Sequence, residues 1–231
     1  MRLKLASYNI HKAVGTDGRR DPERILRVLH EIGADIVALQ EVDRRFGPRV
    51  SVLPRLLVEE AGWQVAPLAM RADSMGWHGN AILVRRGIEV LGAAPVPLPV
   101  IEPRGAVRAE LAVDGVRLRV VGAHLDLSGL RRRHQIRAIL NEIDGCDHAC
   151  PAVVLGDFNE WSPRAGSVRQ FGSHWQVISP GKSFPSRQPL APLDRIALSR
   201  DWRCEAHGVH HSALATFASD HLPIWAEISA G

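Results

Sequence analysis

The sequence predicts an α/β protein whose sheets are mixed or largely antiparallel and are covered by helices. Short apolar, β-branched segments bounded by turn residues recur along the whole chain and are typical of buried strands. Some of these segments are joined by a tight turn such as Asp114-Gly115, whereas others are separated by an amphipathic helical stretch. A purely parallel barrel, in which a helix follows every strand, does not fit this mixture.

The first half of the chain alternates predicted strands and helices. Asp21-Pro22-Glu23 is typical of a helix start, the apolar positions from Ile25 to Ile32 recur with helical spacing, and Gly33 ends that helix. A second helix is predicted from Ser51 to Ala61, before Gly62. The predicted strands of this half are Leu3 to Ile10, Asp35 to Glu41, Trp63 to Pro67, Ala81 to Val84 and Ile88 to Val96.

The second half opens with a predicted hairpin across Asp114-Gly115, whose second strand ends just before His124. Helices are predicted from Leu130 to Ile143 and from Ser162 to Phe171. The predicted strands of this half are Val107 to Val113, Val116 to Val121, Val153 to Leu155, Trp175 to Ile178, Leu193 to Leu198, Trp202 to His207 and Leu222 to Ile228.

Size and composition indicate an ordinary globular protein. The 231 residues contain no linker or repeat, so we expect a single domain over residues 1–231. No apolar run approaches the ~20 residues of a membrane helix, and the N-terminus lacks the apolar core of a signal peptide. Three cysteines do not suggest a disulfide framework, and Cys146, His148 and Cys150 lack a fourth zinc ligand at a recognised spacing. We expect a cytoplasmic protein.

The chain is basic, with a formal net charge of +4, and nearly all of its basic residues are arginine. This charge is compatible with nucleic acid, with an anionic membrane and with any phosphate substrate, so it does not choose among them. The run Arg131-Arg132-Arg133 is typical of a solvated helix start, with a footprint for nucleic acid or an anionic bilayer as the alternative.

Polar side chains follow many of the predicted strands. In the stretch from Val153 to Trp161, Asp157 and Asn159 are two residues apart at the end of a buried strand, so both can face one ligand. A plain turn is the alternative, because Asp and Asn are common turn residues. Active sites of layered α/β proteins gather at such strand ends. The residues at comparable positions are Asn9, Glu41, His124, Asp157, Asn159, Asp194, Asp220 and His221.

Short motifs follow one another in order from residue 7 to residue 221. They are Ser7-Tyr8-Asn9-Ile10, Leu39-Gln40-Glu41-Val42, His78-Gly79-Asn80-Ala81, Ala123-His124-Leu125, Gly156-Asp157-Phe158-Asn159, Leu193-Asp194-Arg195-Ile196 and Ser219-Asp220-His221. This ordered set resembles the endonuclease/exonuclease/phosphatase superfamily, which includes DNase I. The resemblance implies a four-layer α/β sandwich in which two packed mixed sheets are flanked by helices.

The resemblance implies a divalent metal, Mg²⁺ with Mn²⁺ as the alternative, at Glu41 with Asn9 and Asp220. Oxygen ligands of this kind suit a hard cation. For substrate binding, the sequence offers three more residues, each with a plainer alternative. Asn80 is expected to line the cleft, Arg104 to clamp a phosphate or lie on the surface, and His11 to contact phosphate or lie in a solvated loop.

The resemblance also implies the catalytic roles. His221 is expected to be the general base or a phosphate contact, with Asp194 holding its other ring nitrogen. Asp157 and Asn159 are expected to position the attacking water and a phosphate oxygen. His124 is expected to donate a hydrogen bond to the phosphate or a proton to the leaving oxygen. The sequence leaves open whether Asp157 or His221 takes the proton of the water.

The function expected from this resemblance is hydrolysis of a phosphodiester by in-line attack of water. The abasic-site endonucleases of the superfamily usually carry a tyrosine at the position of His124. The histidine therefore argues against a role in DNA repair. The alternatives are a DNA or RNA nuclease and, in a different class, a binding protein that keeps the fold without catalysis. We expect a phosphate-ester substrate of the phospholipid, nucleic-acid or small-molecule type, with peripheral membrane contact as one option and no obligate protein partner. Four loops are expected to set selectivity, namely residues 42–51, 70–78, 97–104 and 161–172.

Overall fold

The chain folds into two six-stranded β-sheets flanked by helices. A computed structural model describes residues 1–44, 50–68, 73–99, 104–145, 150–162 and 166–231. Two 3₁₀ segments cover His11–Ala13 and Gly166–His174. The α-helices are α1 (Pro22–Ile32), α2 (Arg55–Glu60), α3 (Gly129–Asp144) and α4 (Ala213–Ala218). The strands are β1 (Arg2–Asn9), β2 (Ile36–Gln40), β3 (Trp63–Val65), β4 (Ala81–Arg85), β5 (Glu89–Val96), β6 (Gly105–Val113), β7 (Val116–His124), β8 (Ala152–Asp157), β9 (Trp175–Ile178), β10 (Asp194–Ser199), β11 (Trp202–Val209) and β12 (Ile224–Ala230).

Both sheets have the same plan, in which one central parallel pair is flanked by antiparallel strands. The first sheet has the order β11-β12-β1-β2-β4-β3, and the second has the order β5-β6-β7-β8-β10-β9. The parallel pairs are β1 with β2 and β7 with β8. The last residues of β1 and β8, Asn9 and Asp157, are hydrogen-bonded to each other. The carboxyl ends of the two parallel pairs therefore meet at one rim of the molecule, which we call the site rim.

Three apolar clusters separate four layers of secondary structure. One cluster joins α1, through residues such as Ile25, to the outer face of the first sheet at Tyr8. The second lies between the sheets and contains Leu5 and Val120. The third joins α3, through residues such as Ile136, to the outer face of the second sheet. This arrangement confirms the predicted four-layer sandwich of two mixed sheets.

The alternation of side chains along each strand aims the predicted site residues into the gap between the sheets. In β1, Leu5 faces the other sheet whereas Ala6 and Tyr8 face the helices, so Asn9 at the end of the strand faces the other sheet. The same alternation in the second sheet directs the inward side chains of β7, β8 and β10. These inward residues are His124, Asp157 and Asp194.

Several local predictions are confirmed. The Asp21 side chain accepts a hydrogen bond from the backbone N–H of Arg24 at the start of α1, and Gly33 ends the helix with φ of 64°. Asp114 and Gly115 both have positive φ, 50° and 77°, as a two-residue hairpin turn of the primed type requires.

The predicted helix from Ser51 to Ala61 is wrong in its first turn, because α2 begins only at Arg55. Pro54 disfavours helical backbone at the residue before it, and Ser51 instead forms a β-bridge with Asp43. The helix predicted from Ser162 to Phe171 is replaced by the 3₁₀ segment Gly166–His174. The sequence prediction also missed α4, a six-residue helix capped by the Ser212 side chain.

The part of the chain that the structure describes contains no helix long and apolar enough to cross a membrane. Each of the four loops predicted to set selectivity includes residues outside the described ranges. Cys146 and His148 of the rejected zinc motif also lie outside them.

Candidate active site

Three predicted site residues are lateral neighbours on adjacent strands. In the ladder of the second sheet, Asp157 of β8 pairs with His124 of β7 on one side and with Asp194 of β10 on the other. All three side chains are buried. Buried carboxylates and imidazoles cost desolvation free energy unless they have partners, so this row requires partners from the rest of the site rim.

Asp157 is the hub of these contacts. Its Oδ2 accepts a hydrogen bond from Asn9 Nδ2 at 3.1 Å and lies 3.3 Å from His124 Nε2 and 3.7 Å from His221 Nε2. Its Oδ1 accepts the backbone N–H of Asn159 at 2.9 Å. One carboxylate therefore contacts four other predicted site residues, which come from widely separated parts of the chain.

His221 is held by Asp194. The Nδ1 atom of His221 lies 3.0 Å from Asp194 Oδ2, which also accepts a hydrogen bond from the Ser183 hydroxyl. Burial favours the neutral ring, but the carboxylates around it, chiefly Asp194 and Asp157, outweigh burial and raise the pKa of His221 to about 10. His221 is therefore protonated at neutral pH.

His124 has the opposite charge state. Burial dominates here and lowers the pKa of His124 to about 4, although Asp157 favours the charged ring. Arg104, which precedes the partner strand β6, adds to the lowering through its positive charge. Two histidines on one carboxylate thus differ in charge at neutral pH, and they can perform different chemistry.

Glu41 follows β2 and carries an ionised carboxylate at the site rim. Burial favours the protonated form, but His124, Lys12 and His11 outweigh it and lower the pKa of Glu41 to about 2. His124 is itself neutral near pH 7, so the positive charge acting on Glu41 at that pH is chiefly the Lys12 ammonium, which donates to Glu41 Oε2.

The three predicted metal ligands supply oxygen atoms from neighbouring segments. Asn9 pairs with Gln40 in the ladder between β1 and β2, so Glu41 is one residue beyond the neighbour of Asn9. Ser219 Oγ lies 2.7 Å from the Asn9 carbonyl oxygen and 3.3 Å from Asp220 Oδ1, which connects Asp220 to the same strand. Carboxylate and carboxamide oxygens fit a hard divalent cation.

A second group of metal-binding atoms lies beside the first. Asp157, Asp194 and His221 each offer a ligand atom, and these atoms lie within 4.8 Å of one another. In this group, however, Asp194 and His221 are already paired with each other. Glu41 is also paired, with the Lys12 ammonium, but it is an ionised oxygen ligand close to Asn9, which suits a hard divalent cation.

The predicted substrate residues lie around this centre. Asn80 is fully buried, and its Oδ1 has no hydrogen-bond partner within the described ranges. His11 donates its backbone N–H to Asn9 Oδ1 at 3.1 Å, and its Nδ1 faces the Val14 carbonyl at 3.1 Å. Arg104 precedes Gly105, which pairs with His124. An unpaired buried amide oxygen is rare in folded proteins, which favours contact between Asn80 and a ligand.

Comparison with known proteins identifies the family. The sequence model of the endonuclease/exonuclease/phosphatase family matches residues 6–221. The chain belongs to this family. The uncharacterised protein YbhP of Escherichia coli strain K12 is 30% identical over 252 aligned residues, which cover 98% of this chain and 96% of YbhP.

Solved structures of the family share the fold at low sequence identity. The family member from Bacteroides vulgatus has a TM-score of 0.78 at 15% identity and is covered in full, as is this chain. Humanized D. rerio TDP2 has a TM-score of 0.76 at 17% identity, with 99% of each chain covered. Endonucleases, exonucleases and phosphatases all cleave phosphate esters, so the family predicted from the sequence motifs is confirmed as one of phosphate-ester hydrolases.

Backbone strain is concentrated at the site rim of this family member. His11, Lys12, Glu41, His78 and Asn159 all have left-handed backbone, with φ between 44° and 59°. Such conformations are uncommon for residues other than glycine and cluster at functional sites. For Lys12 and Glu41 the sequence carries no signal, because lysine and glutamate have no preference for this conformation, whereas histidine and asparagine adopt it more often.

A buried node behind the site was missed by the sequence prediction. Arg132 is buried, lies 3.3 Å from Glu160 Oε2 and donates to the carbonyl oxygen of Leu127 at 2.6 Å. The interpretation of Arg132 as solvated is therefore wrong, although Arg133 beside it is exposed. Arg195, inside a family motif, donates to the Glu160 carbonyl oxygen at 2.9 Å. Burial lowers the pKa of Arg195 to about 10, which leaves it charged.

The Asn159 side chain has a hydrogen-bond partner within the protein. One amide hydrogen of Asn159 Nδ2 is donated to the Leu125 carbonyl oxygen at 2.8 Å, and the residue is buried. This bond ties the loop after β8 to the loop after β7. The contact of Asn159 with phosphate stays a prediction, and its second amide hydrogen is the group available for it.

Proposed function

We propose that this protein is a divalent-metal-dependent phosphoesterase that hydrolyses a phosphodiester bond by in-line attack of water. The observation that carries the proposal is the chain of contacts from Asp194 through His221 to Asp157 and on to His124 and Asn9 at one rim. A binding protein without catalysis has no need to hold one charged and one neutral histidine on the same carboxylate.

Glu41 and Asn9, with Asp220 beside them, are the residues that would hold the metal. Mg²⁺ prefers oxygen ligands and keeps several of its waters, which suits a set of only three protein ligands, and Mn²⁺ accepts the same ligands. When bound, the metal neutralises charge on a phosphate oxygen and so lowers the free energy of the transition state.

We assign the general base to Asp157. A protonated His221 cannot accept a proton, whereas the Asp157 carboxylate places Oδ2 at 3.7 Å from the same Nε2 atom and offers its lone pairs there. The water oxygen forms a bond to phosphorus, its proton passes to Asp157, and the bond from phosphorus to the leaving oxygen breaks. His221 offsets the developing charge on phosphate and is the cationic acid available to the leaving oxygen.

His124 is assigned a hydrogen bond to a phosphate oxygen. A ring with a pKa of about 4 is neutral at pH 7, so it can donate its N–H but is not a source of a labile proton. Arg104 adds a positive charge near it. The buried amide oxygen of Asn80, which has no hydrogen-bond partner among the described residues, is available to a donor that reaches the cleft. His11 positions Asn9 through its backbone N–H.

Hydrolysis of bis(p-nitrophenyl) phosphate and p-nitrophenyl phosphate tests the proposal. We expect cleavage of the diester that requires Mg²⁺ and is abolished by EDTA. Glu41→Gln and His221→Asn should each lower kcat by about 10²-fold or more, because each variant removes a group that stabilises the transition state. DNA, RNA and phospholipid are then tested as substrates under the same conditions. A steep dependence of affinity on salt concentration is expected only if the substrate is a nucleic acid.

Two surface variants serve as matched controls. Glu227→Gln removes an exposed carboxylate that lies 4.0 Å from Lys4, and His210→Asn removes a histidine whose Nε2 lies 2.8 Å from Glu31. Both should retain wild-type rates. Metal-independent cleavage, or full activity of Glu41→Gln, would contradict the proposal, and cleavage of the monoester alone would assign the protein to the phosphatases.

A phospholipid-type diester is the substrate that the surface around the site favours. Leu127, Leu130 and Trp161 are 64%, 63% and 65% exposed; Leu127 lies on the loop after His124, Leu130 in the first turn of α3, and Trp161 on the loop after Asp157. Both loops are tied to Arg132, so the apolar side chains are presented from an ordered surface. Leucine and tryptophan with nearby arginine are typical of membrane interfaces.

The substrate proposal is tested with phospholipid presented in vesicles and as a short-chain soluble analogue. Trp161→Ser should raise KM for vesicles and leave hydrolysis of the aryl diester unchanged. Equal KM values for vesicles in the variant and the wild type would refute a lipid-binding role for this surface.

A further inference from the structure

Lys12 lies against Glu41, the carboxylate proposed to bind the metal. Its ammonium donates to Glu41 Oε2, and the two side chains are only 29% and 23% exposed. The ion pair joins the 3₁₀ segment after β1 to the residue after β2. A positive charge therefore already neutralises Glu41 when no metal is bound.

The backbone on both sides of this pair is held in an unfavourable conformation. His11, Lys12 and Ala13 have φ of 44°, 57° and 56°, and Glu41 has φ of 59°. Such strain persists only where the surrounding structure enforces it. Here Ala13 N–H donates to the Ile10 carbonyl oxygen at 2.7 Å, which closes the turn. The backbone therefore holds Lys12 next to Glu41, and the lysine side chain remains free to move between partners at the rim.

Lys12 and a divalent metal would compete for the same carboxylate. Metal coordination uses the lone pairs of the Glu41 oxygens, one of which accepts the Lys12 ammonium. Two cations on one carboxylate repel each other, and the divalent ion carries the larger charge. Once the metal neutralises Glu41, the ammonium loses its partner while it stays tethered at the site rim. The next anion to enter the rim is the phosphate group of the substrate.

We infer, on the basis of the proposed function, that Lys12 is an internal counter-ion of Glu41 that the divalent metal displaces, and that the displaced ammonium binds a phosphate oxygen of the substrate. Lys12 thus weakens the binding of free metal and strengthens the binding of phosphate once metal is present. It gives the enzyme a preference for metal and substrate together over metal alone.

Calorimetric titration of the full chain with Mg²⁺ tests the first half of this inference. Lys12→Met should bind Mg²⁺ about threefold to tenfold more tightly than the wild type, the range expected for loss of one partly exposed ion pair. Lys4→Met is the matched control, because Lys4 pairs with an exposed carboxylate on the far side of β1 at 4.0 Å, and it should leave Mg²⁺ affinity unchanged. Equal or weaker Mg²⁺ affinity in Lys12→Met would overturn the role of Lys12.

Titration of the Mg²⁺-saturated proteins with inorganic phosphate tests the second half. Lys12→Met should bind phosphate about threefold to tenfold more weakly than the wild type, and Lys4→Met should not differ from it. Unchanged phosphate affinity in Lys12→Met would overturn the contact with substrate. Lys12→Arg keeps the charge and should retain wild-type Mg²⁺ affinity, so it supplies a folded comparison if Lys12→Met is unstable.

The two proposals fail in different ways. If the wild type binds no Mg²⁺, the proposed metal-dependent function fails together with this inference. If the wild type binds Mg²⁺ and Glu41→Gln does not, the metal site stands, and an unchanged Mg²⁺ affinity in Lys12→Met removes only the role of Lys12.

Discussion

Replacing Asp194 with asparagine should change how the stability of the metal-free protein depends on pH. In the wild type, His221 has a pKa of about 10 against an ordinary value of 6.5, because Asp194 and Asp157 stabilise its charged ring. The native state therefore holds a proton that the unfolded chain releases above pH 6.5. This contribution to stability is fully present below pH 6.5 and is lost as the pH rises from 6.5 towards 10.

The size of the effect follows from these two pKa values. Stability should fall by ~1.4 kcal/mol per pH unit over this window, which amounts to about 5 kcal/mol for the whole shift. Several carboxylates share that contribution, and Asp194 is the one in direct contact with His221 at 3.0 Å. We assign roughly half of it, ~2–3 kcal/mol, to Asp194, in keeping with the cost of breaking a buried ion pair.

Urea unfolding in EDTA from pH 6 to pH 9.5 measures this prediction. Asp194→Asn should be less stable than the wild type at pH 6.5 by the amount above, and its stability should fall less steeply as pH rises. Asp201→Asn is the control, because Asp201 is an exposed carboxylate at the far end of the same sheet and, among the described residues, accepts a side-chain hydrogen bond only from Ser199 Oγ. Parallel curves for Asp194→Asn and the wild type would refute the view that Asp194 keeps His221 charged.

Three further predictions concern stability. Gly156→Ala places a Cβ 1.9 Å from a carbonyl oxygen of the neighbouring strand β7 and should lower the free energy of unfolding in urea by ~3 kcal/mol or more. Gly115→Ala has open space around it, although φ is 77°, and should lower that free energy by only ~1 kcal/mol. Equal losses in the two variants would contradict this reasoning. Glu160→Gln leaves Arg132 as a buried cation without its carboxylate and should lower stability by ~3 kcal/mol, so an unchanged unfolding midpoint would show that the pair is dispensable. Saturating Mg²⁺ should raise the unfolding free energy by ~2.7 kcal/mol at 100 times its Kd, and this gain should be absent in Glu41→Gln if Glu41 binds the metal.

The fold, and the clustering of the candidate site residues at one rim, were largely predictable because they depend on short-range patterns. Strand alternation fixes the face to which Asn9, His124 and Asp157 point, and turn chemistry fixes Asp21 as a cap and Asp114-Gly115 as a hairpin. These signals lie within a few residues of the feature they specify. The ordered motifs then identified the family without any knowledge of distances.

The features that were not predictable depend on partners far apart in the sequence. Arg132 is buried because it pairs with Glu160, which is 28 residues away, and no periodicity in its own helix reveals this. The left-handed backbone at Lys12 and Glu41 is likewise imposed by tertiary contacts, since neither residue type favours it. Long-range ion pairs and strained backbone determine which charged side chains meet at the site. Neither feature can be read from the sequence alone.

The balance of charge at the site rim predicts that metal binding also affects the affinity for phosphate. Within the described part of the chain, Lys12, Arg104 and protonated His221 supply three positive charges to the rim, while His124 is neutral. The carboxylates described at the rim number four, namely Glu41, Asp157, Asp194 and Asp220. Counted at formal charges, these four carboxylates and three cations give the metal-free rim −1, which should repel a phosphate anion.

A divalent ion would reverse this sign to +1 and attract the anion. Inorganic phosphate should therefore bind the wild type at least about tenfold more tightly in Mg²⁺ than in EDTA, and calorimetry measures the difference. Equal affinities would mean that phosphate recognition depends on Arg104 and the histidines alone. The metal would then be required for the chemical step and not for binding, and Glu41→Gln would lower kcat while leaving KM unchanged.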